Sequence, residues 1–347
     1  MLAKATWGRG KVREEAREIP VLAEADVVVA GGGIAGYAAA IAAARVGART
    51  VLVERCGYLG GLLTACLGEL VLWENDEHGR QAVAGVWQET KERLMALDAS
   101  PGTLRFDGPM YGPHVNLPLS ATVTPFDPEM LKYVMAEQVL EAGVDLLLHA
   151  TVVGVVQDEN RARGVIVEGK SGRVAVLGKV TVDATGDADV CYAAGVPVQK
   201  GRESDGRMMG SSLHINGHGI QYRPLWDYVH THPDDVPRWA SLVPVEGGCI
   251  PPYFDMMRFA CHGFQVSMQA AKARGELYFT QGELGIWPRM GGGQLELNIT
   301  RVDVDGTDIA GLTQAQIECR TQAVSIIAFL RREIPGFQNA YIGQVSP

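Results

Sequence analysis

Three glycines and one acid carry the first chemistry in this chain. Gly31, Gly33 and Gly36 fit G-x-G-x-x-G, and Glu54 stands 18 residues after the last of them. At the first position glycine allows a tight turn, at the second it lets backbone approach a pyrophosphate, and at the third it lets a helix pack closely on a strand. The N–H groups of Ile34, Ala35 and Gly36 then stand at a helix N-terminus, at the positive end of its dipole, where phosphate is favoured. Glu54 can accept hydrogen bonds from both ribose hydroxyls, and its charge repels a 2′-phosphate.

These residues need a strand, a turn, a helix and a second strand to position them. The stretch "DVVVAGGGIAGYAAAIAAARVGARTVLVER" has that order: Val27 to Val29, three glycines, an alanine-rich run closed by Gly47, then "RTVLVE". A membrane helix competes for the same run, because Asp26 and Arg45 enclose 18 uncharged residues and Gly32 and Gly36 have G-x-x-x-G spacing. A β-branched block broken by three glycines does not continue as one helix, so the run reads as a βαβ dinucleotide-binding unit.

Composition fits an ordinary two-domain chain without membrane insertion. The 347 residues are 47% hydrophobic, enough for two cores. With 31 basic against 40 acidic residues the formal charge is −9, which gives neither nucleic acid nor an anionic membrane an electrostatic footing. The first 25 residues are polar, unlike a signal peptide, and a cytoplasmic location is expected. The six cysteines, at 56, 66, 191, 249, 261 and 319, form no C-x-x-C pair, and the histidines are scattered apart from "HTH" at His230 to His232. No metal site is expected.

Glu54 cannot separate NAD from FAD, since both carry the ADP half. The adjoining segment can: "RCGYLGGLLT" offers Gly60 and Gly61 for a loop crossing close to a longer cofactor. Beyond it, "DPEMLKYVMAEQVLEAG" reads as a helix capped by Asp127, with Pro128 in its first turn and Gly143 at its end. Short strands come next in "DLLLH", "TVVGVV", "RGVIVE" and "RVAVL", ending in "KVTVDATGDADV".

In these motifs the chain resembles FAD-dependent oxidoreductases with the glutathione-reductase type of FAD domain, in the branch of the fumarate reductase and succinate dehydrogenase flavoproteins. The GG loop, the "DATGD" segment and "LNITRVDVDGTDIAGLTQAQIECRTQAVSIIAFLRREIPGF" carry the resemblance. It implies an α/β fold, a Rossmann-like FAD-binding domain with a parallel sheet and β-meander plus a smaller α+β substrate domain. It also implies FAD as cofactor and hydride or electron transfer to a small-molecule substrate. The pattern places Gly31, Gly33 and Gly36 on the pyrophosphate, Glu54 and Arg55 at the adenosine, and Gly60 and Gly61 under pyrophosphate and flavin. Leu62 to Thr64 fall near the ring, Val152 meets adenine through its backbone, and Ala184, Thr185, Gly186 and Asp187 close over the cofactor. Cys56 and Cys66 straddle the glycine pair instead of lying after it on one helix, so they are not expected to be a redox pair.

The implied organisation is an N-terminal arm (1–23), an FAD-binding domain (24–75 and 128–200), a loop-rich insertion (76–127), a substrate domain (201–302) and a return to the FAD domain (303–347). The return segment lacks the glycine turn usual in the family and reads as truncated. Candidates for substrate chemistry are His214, His218, Arg258, His262, Arg289 and Arg301. Arg301 is expected to bind a carboxylate or carbonyl; an ion pair with Asp303 or Asp305 is the plainer alternative. A homo-oligomer or an electron-transfer partner is compatible with this reading. Its rivals are an FAD-binding subunit without turnover, an NAD-dependent dehydrogenase and, disfavoured by the acidic charge, a flavin-dependent RNA-modifying enzyme.

Overall fold

The computed structural model describes residues 10–66, 70–72, 74–76, 78–108, 122–245, 250, 258–279 and 281–347. The first sheet begins with β1 (Val21–Ala30), which pairs in parallel with β2 (Thr50–Val53). Helix α1 (Ile34–Arg45) crosses between them, as the glycine spacing requires. The short helix α2 (Leu62–Ala65) follows the GG loop, and strand β3 (Leu70–Leu72), helix α3 (Val86–Ala96) and strands β4 (Leu104–Asp107) and β5 (Thr122–Pro125) come next.

Helix α4 (Pro128–Glu141) begins where an N-cap, a proline and an acid coincide. The Asp127 carboxylate accepts from the N–H groups of Glu129 at 2.8 Å and Met130 at 3.1 Å. Strand β6 (Asp145–Leu147) then joins β2 in parallel, and β7 (Thr151–Asp158), β8 (Arg161–Gly169) and β9 (Gly172–Asp183) form an antiparallel meander whose last strand lies parallel to β1. The six strands run β6-β2-β1-β9-β8-β7. Tyr37, Ile41, Leu52, Leu94, Phe126 and Met135 form the core under α1, α3 and α4. Inside it the Tyr37 hydroxyl donates to Gln138 Oε1 at 2.7 Å and lies 2.9 Å from Thr90 Oγ1, joining three helices. Burial pushes that phenol up to about 12. The opposite face of the sheet packs Val28, Val53, Val165 and Val176 with Val190 of helix α5 (Asp189–Ala193).

The second sheet is larger than expected, with nine strands in the order β15-β10-β14-β13-β12-β11-β4-β5-β3. It is built from β10 (Ile215–His218), β11 (Arg238–Pro244), β12 (Phe259–Gly263), β13 (Leu284–Pro288), β14 (Leu295–Asn298) and β15 (Tyr341–Val345), together with β3, β4 and β5. Helices α6 (Tyr222–Thr231), α7 (Gln265–Ala273) and α8 (Ile309–Glu333) cover one face, enclosing Ile215, Leu225, Phe259, Met268, Leu295 and Ile326.

Two boundaries differ from the sequence expectation. Residues 76–127 are not merely loops: α3 completes the first core while β4 and β5 extend the second sheet, and 109–121 lie outside the described residues. The segment 303–347 does not rejoin the first sheet. Its helix starts at Ile309 with Asp308 as cap, its apolar face packs on the second sheet, and β15 pairs with β10. A buried polar hub joins the two units where β3 meets α3. Glu74, fully buried, accepts from Lys91 Nζ at 2.8 Å, from Thr103 Oγ1 at 2.9 Å and from the Trp87 indole N–H. Among the described residues no helix is long and apolar enough to cross a membrane.

Candidate functional site

The three motif glycines are required for two different reasons. Gly31 has φ +100°, and a Cβ there would lie 2.3 Å from the Ala184 carbonyl oxygen; a Cβ on Gly36 would lie 1.8 Å from the Gly31 oxygen. These two answer to the protein's own packing. At Gly33 the nearest atom to a Cβ is Gly61 Cα at 3.9 Å, an ordinary contact, so the protein's own packing does not demand glycine there. Gly33 also caps α1 without any side chain, which leaves the N–H groups of Ile34, Ala35 and Gly36 without an intrahelical acceptor. The GG loop forms the facing wall: Gly33 and Gly60 are parallel bridge partners, and Gly60 N–H donates to the Gly32 oxygen at 2.9 Å. Gly60 and Gly61 take φ of +112° and +54°, which suits glycine at both positions.

Glu54 stands at the end of β2, 7% exposed. Its Oε2 accepts from Gly32 N–H at 2.6 Å and its Oε1 from Cys56 N–H at 2.7 Å. Each oxygen keeps a second lone pair for a ribose hydroxyl. One cleft brings Gly31, Glu54, Arg55, Val152, Thr185 and Asp189 together, so the sequence-selected adenosine residues converge. Ala184 is fixed by its N–H bond to the Ala30 oxygen. The turn after it is set by Asp183, whose carboxylate accepts from Thr185 Oγ1 at 2.7 Å and Cys191 N–H at 2.8 Å. Gly186 takes φ +93°, and Asp187 is exposed.

The expected flavin-end residues divide. Leu62 is 77% and Ile34 40% exposed at the mouth of the cradle, an apolar surface available to a ring. Thr64 is buried, and its hydroxyl donates to the Leu59 oxygen at 2.8 Å, so its side chain shapes the loop. Neither Cys56 nor Cys66 is in a disulfide, and burial pushes the Cys56 thiol up.

The substrate candidates do not form one cluster. His214 Nδ1 lies 2.5 Å from the buried Glu296 carboxylate, and Arg289 is buried near the same acid. Burial pushes the Arg289 guanidinium down to about 10, a shift that Glu296 opposes. His262 stands edge-on to Trp287 at 5.3 Å, beside the Arg238–Glu283 ion pair, and burial pushes its imidazole down. His218 packs against Tyr341, with ring centroids 5.5 Å apart. Arg258 leads into β12 and accepts through its backbone oxygen from Leu242 N–H at 2.8 Å.

Arg301 is held by Gln322 and Gly210, not by the ion pair with Asp303 or Asp305 that was the plainer alternative. Gln322 clamps its backbone, accepting from its N–H at 2.8 Å and donating to its oxygen at 3.0 Å, while Nη1 donates to the Gly210 oxygen at 3.3 Å. Asp303 pairs with Arg207 and Asp305 with Lys200. Sequence reasoning passed over Glu296 and Asn216. The signal for Glu296 was present in "LELN", a charge between two leucines whose strand is buried.

An open backbone cradle, a helix N-terminus and a buried acid at the end of β2 suit a dinucleotide, and a GG wall facing the first glycine loop suits a long one. The cradle therefore fits FAD. The model of the family described as FAD dependent oxidoreductase matches residues 26–347, and the chain belongs to that family. Its cofactor is FAD. A 76-residue stretch is 41% identical to dihydrolipoyl dehydrogenase of Manduca sexta, covering 21% of this chain and 15% of that protein. Among solved structures, a geranylgeranyl bacteriochlorophyll reductase-like protein from Thermoplasma acidophilum superposes with TM-score 0.54 at 14% identity, over 93% of this chain and 65% of that one. A flavin-dependent brominase gives TM-score 0.53 at 16% identity, over 93% and 66%. The chain thus spans about two thirds of the length of these structures, and the likeness is one of fold.

Proposed function

We propose that this protein transfers electron pairs between FAD and a small-molecule substrate held between the FAD cradle and the nine-stranded sheet. The turn at Gly33, where a Cβ would meet only Gly61 Cα at an ordinary 3.9 Å, is the observation that carries the reading, because the protein's own packing does not require glycine there. Bound FAD would supply the two-electron redox chemistry. The chain's own part is to hold and orient: α1 presents its free N–H groups to the pyrophosphate, Glu54 fixes the ribose, and Ile34 and Leu62 offer apolar contact and exclude water. The substrate is of the carbonyl or carboxylate class, and its binding groups come from the second sheet. A cytoplasmic location suits cysteines that, among the described residues, form no disulfide.

The test is the visible spectrum of the purified protein and the mass of the cofactor released on denaturation. FAD in one-to-one ratio, bleached on anaerobic addition of a small-molecule donor, is the expected result. Flavin that no donor or acceptor alters would assign the cofactor a structural role instead.

A further inference from the structure

The nine-stranded sheet has two unlike faces. Ile215, Leu295 and Leu297 turn into the apolar core under α6, α7 and α8, while His214, Asn216 and Glu296 alternate with them and turn the other way. Glu296 lies directly opposite Trp287, which packs with Phe106 and Ala260. Met290 packs against that same group and also lines a cleft with Asp98, Asp127 and Met130, at the ends of α3 and α4. The face bearing His214 and Glu296 is therefore the one turned toward the FAD-binding unit.

A carboxylate buried as deeply as Glu296, 3% exposed, needs compensation. It has His214 Nδ1 at 2.5 Å and the buried Arg289 nearby. Nδ1 is buried against the carboxylate, close to it but outside hydrogen-bond geometry, so the 21% of the side chain that stays exposed belongs to the rest of the ring, where Nε2 lies. The adjoining Asn216 Oδ1 is buried without a hydrogen-bond partner, a further polar group concentrated on this face.

We propose that His214 is the proton-exchanging side chain of the reaction chamber and that Glu296 is the positioning residue that fixes its tautomer. The inference rests on the proposed FAD chemistry and narrows it. Glu296 and Arg289 offset each other, so the site has no surplus positive charge to draw in a carboxylate. A neutral imidazole with its proton on Nδ1 offers Nε2 as an acceptor. That narrows the proposed class to a carbonyl, or the imine that corresponds to it, met in its reduced form: a small molecule with a hydroxyl or amino group on the carbon that changes oxidation state. In the acid–base step the ligand O–H or N–H bond breaks and the Nε2–H bond forms. A proton moves and no electrons do, and Glu296 stabilises the imidazolium that results.

Diethyl pyrocarbonate, which acylates an unprotonated imidazole nitrogen, tests this without knowledge of the substrate. Histidine peptides are mapped by mass spectrometry in the apoprotein and after loading with FAD. His214 should react in the apoprotein and lose its reactivity when FAD is bound, while the exposed His230 in the last turn of α6 and His232 just after it stay reactive as internal controls. In a Glu296→Gln apoprotein that melts like the parent, His214 should react more slowly, because the released ring populates the tautomer with its proton on Nε2. Equal reactivity of His214 with and without FAD overturns the proposal and leaves FAD binding standing. Failure to bind FAD at all overturns both. Unchanged reactivity in Glu296→Gln removes Glu296 from the positioning role. The FAD comparison uses the parent protein, so it decides the placement of His214 even if that variant does not fold.

Discussion

The cofactor cradle is made of backbone, whereas the sheet face opposite is made of side chains. At Gly31, Gly33, Gly36, Gly60 and Gly61 the functional groups are N–H donors and the absence of Cβ atoms. On the second sheet they are an imidazole, a carboxylate and a guanidinium, each set by strand register. Backbone recognition depends on chain geometry and tolerates almost no substitution. Side-chain recognition can be altered one residue at a time on an unchanged frame.

The largest effects should therefore come from the cradle. Gly36→Ala puts a methyl into the Gly31 carbonyl oxygen, and a loss of about 3 kcal/mol in stability is expected, visible in thermal melts. Gly33→Asp has room for its Cβ, so it should fold normally yet carry no FAD, as bulk and negative charge meet the pyrophosphate. Stoichiometric flavin in that folded variant would break the division between packing glycines and ligand glycines.

Of comparable size is the effect at the hub that ties the two regions together. Lys91→Ala leaves the Glu74 carboxylate buried without its cation and should cost about 3 to 5 kcal/mol in denaturant unfolding. Glu54→Gln exchanges charged ribose hydrogen bonds for neutral ones and should weaken FAD by about 1 to 2 kcal/mol, roughly tenfold in Kd by fluorescence titration. Arg301→Lys loses the bond to Gly210 and should lower stability by about 1 kcal/mol with flavin content unchanged. A selective fall in substrate affinity would move Arg301 to the ligand side.

The smallest effect concerns acid. Burial pulls the Asp183 carboxyl upward, but bonds from Cys191 and Thr185 more than offset it and hold it below its ordinary 3.8. A depressed carboxyl contributes stability that is full above that ordinary value and fades as pH falls through the lowered one. Asp183→Asn should flatten the acid limb of the melting profile and leave its neutral limb parallel to the parent's.

The two regions also differed in how much the sequence revealed. The cradle was legible because its determinants are local: glycine spacing, an apolar strand on either side and an acid at a fixed distance, with an Asp-Pro cap marking α4. The second sheet was not, because its pairings join distant residues, as when β15 closes on β10 and β4 on β11. The helix after 308 has an apolar stripe that fits either sheet equally well, and only the tertiary pairing of β15 assigns it. His214 could be singled out as a residue type, but its partner depended on the β10–β14 register.

That pairing of β15 bears on how the protein is made. The strands of the first sheet lie between Val21 and Asp183, whereas those of the second extend from Leu70 to Val345. The FAD-binding unit can thus assemble as soon as β9 has left the ribosome, but the edge of the second sheet must wait for β15, more than 150 residues later. His214 is bound into that later event, since its N–H donates to Ser346 Oγ and its oxygen accepts from Ser346 N–H, both at 3.0 Å. A nascent chain would gain its cofactor pocket first, and the segment carrying His214 would be fastened afterwards.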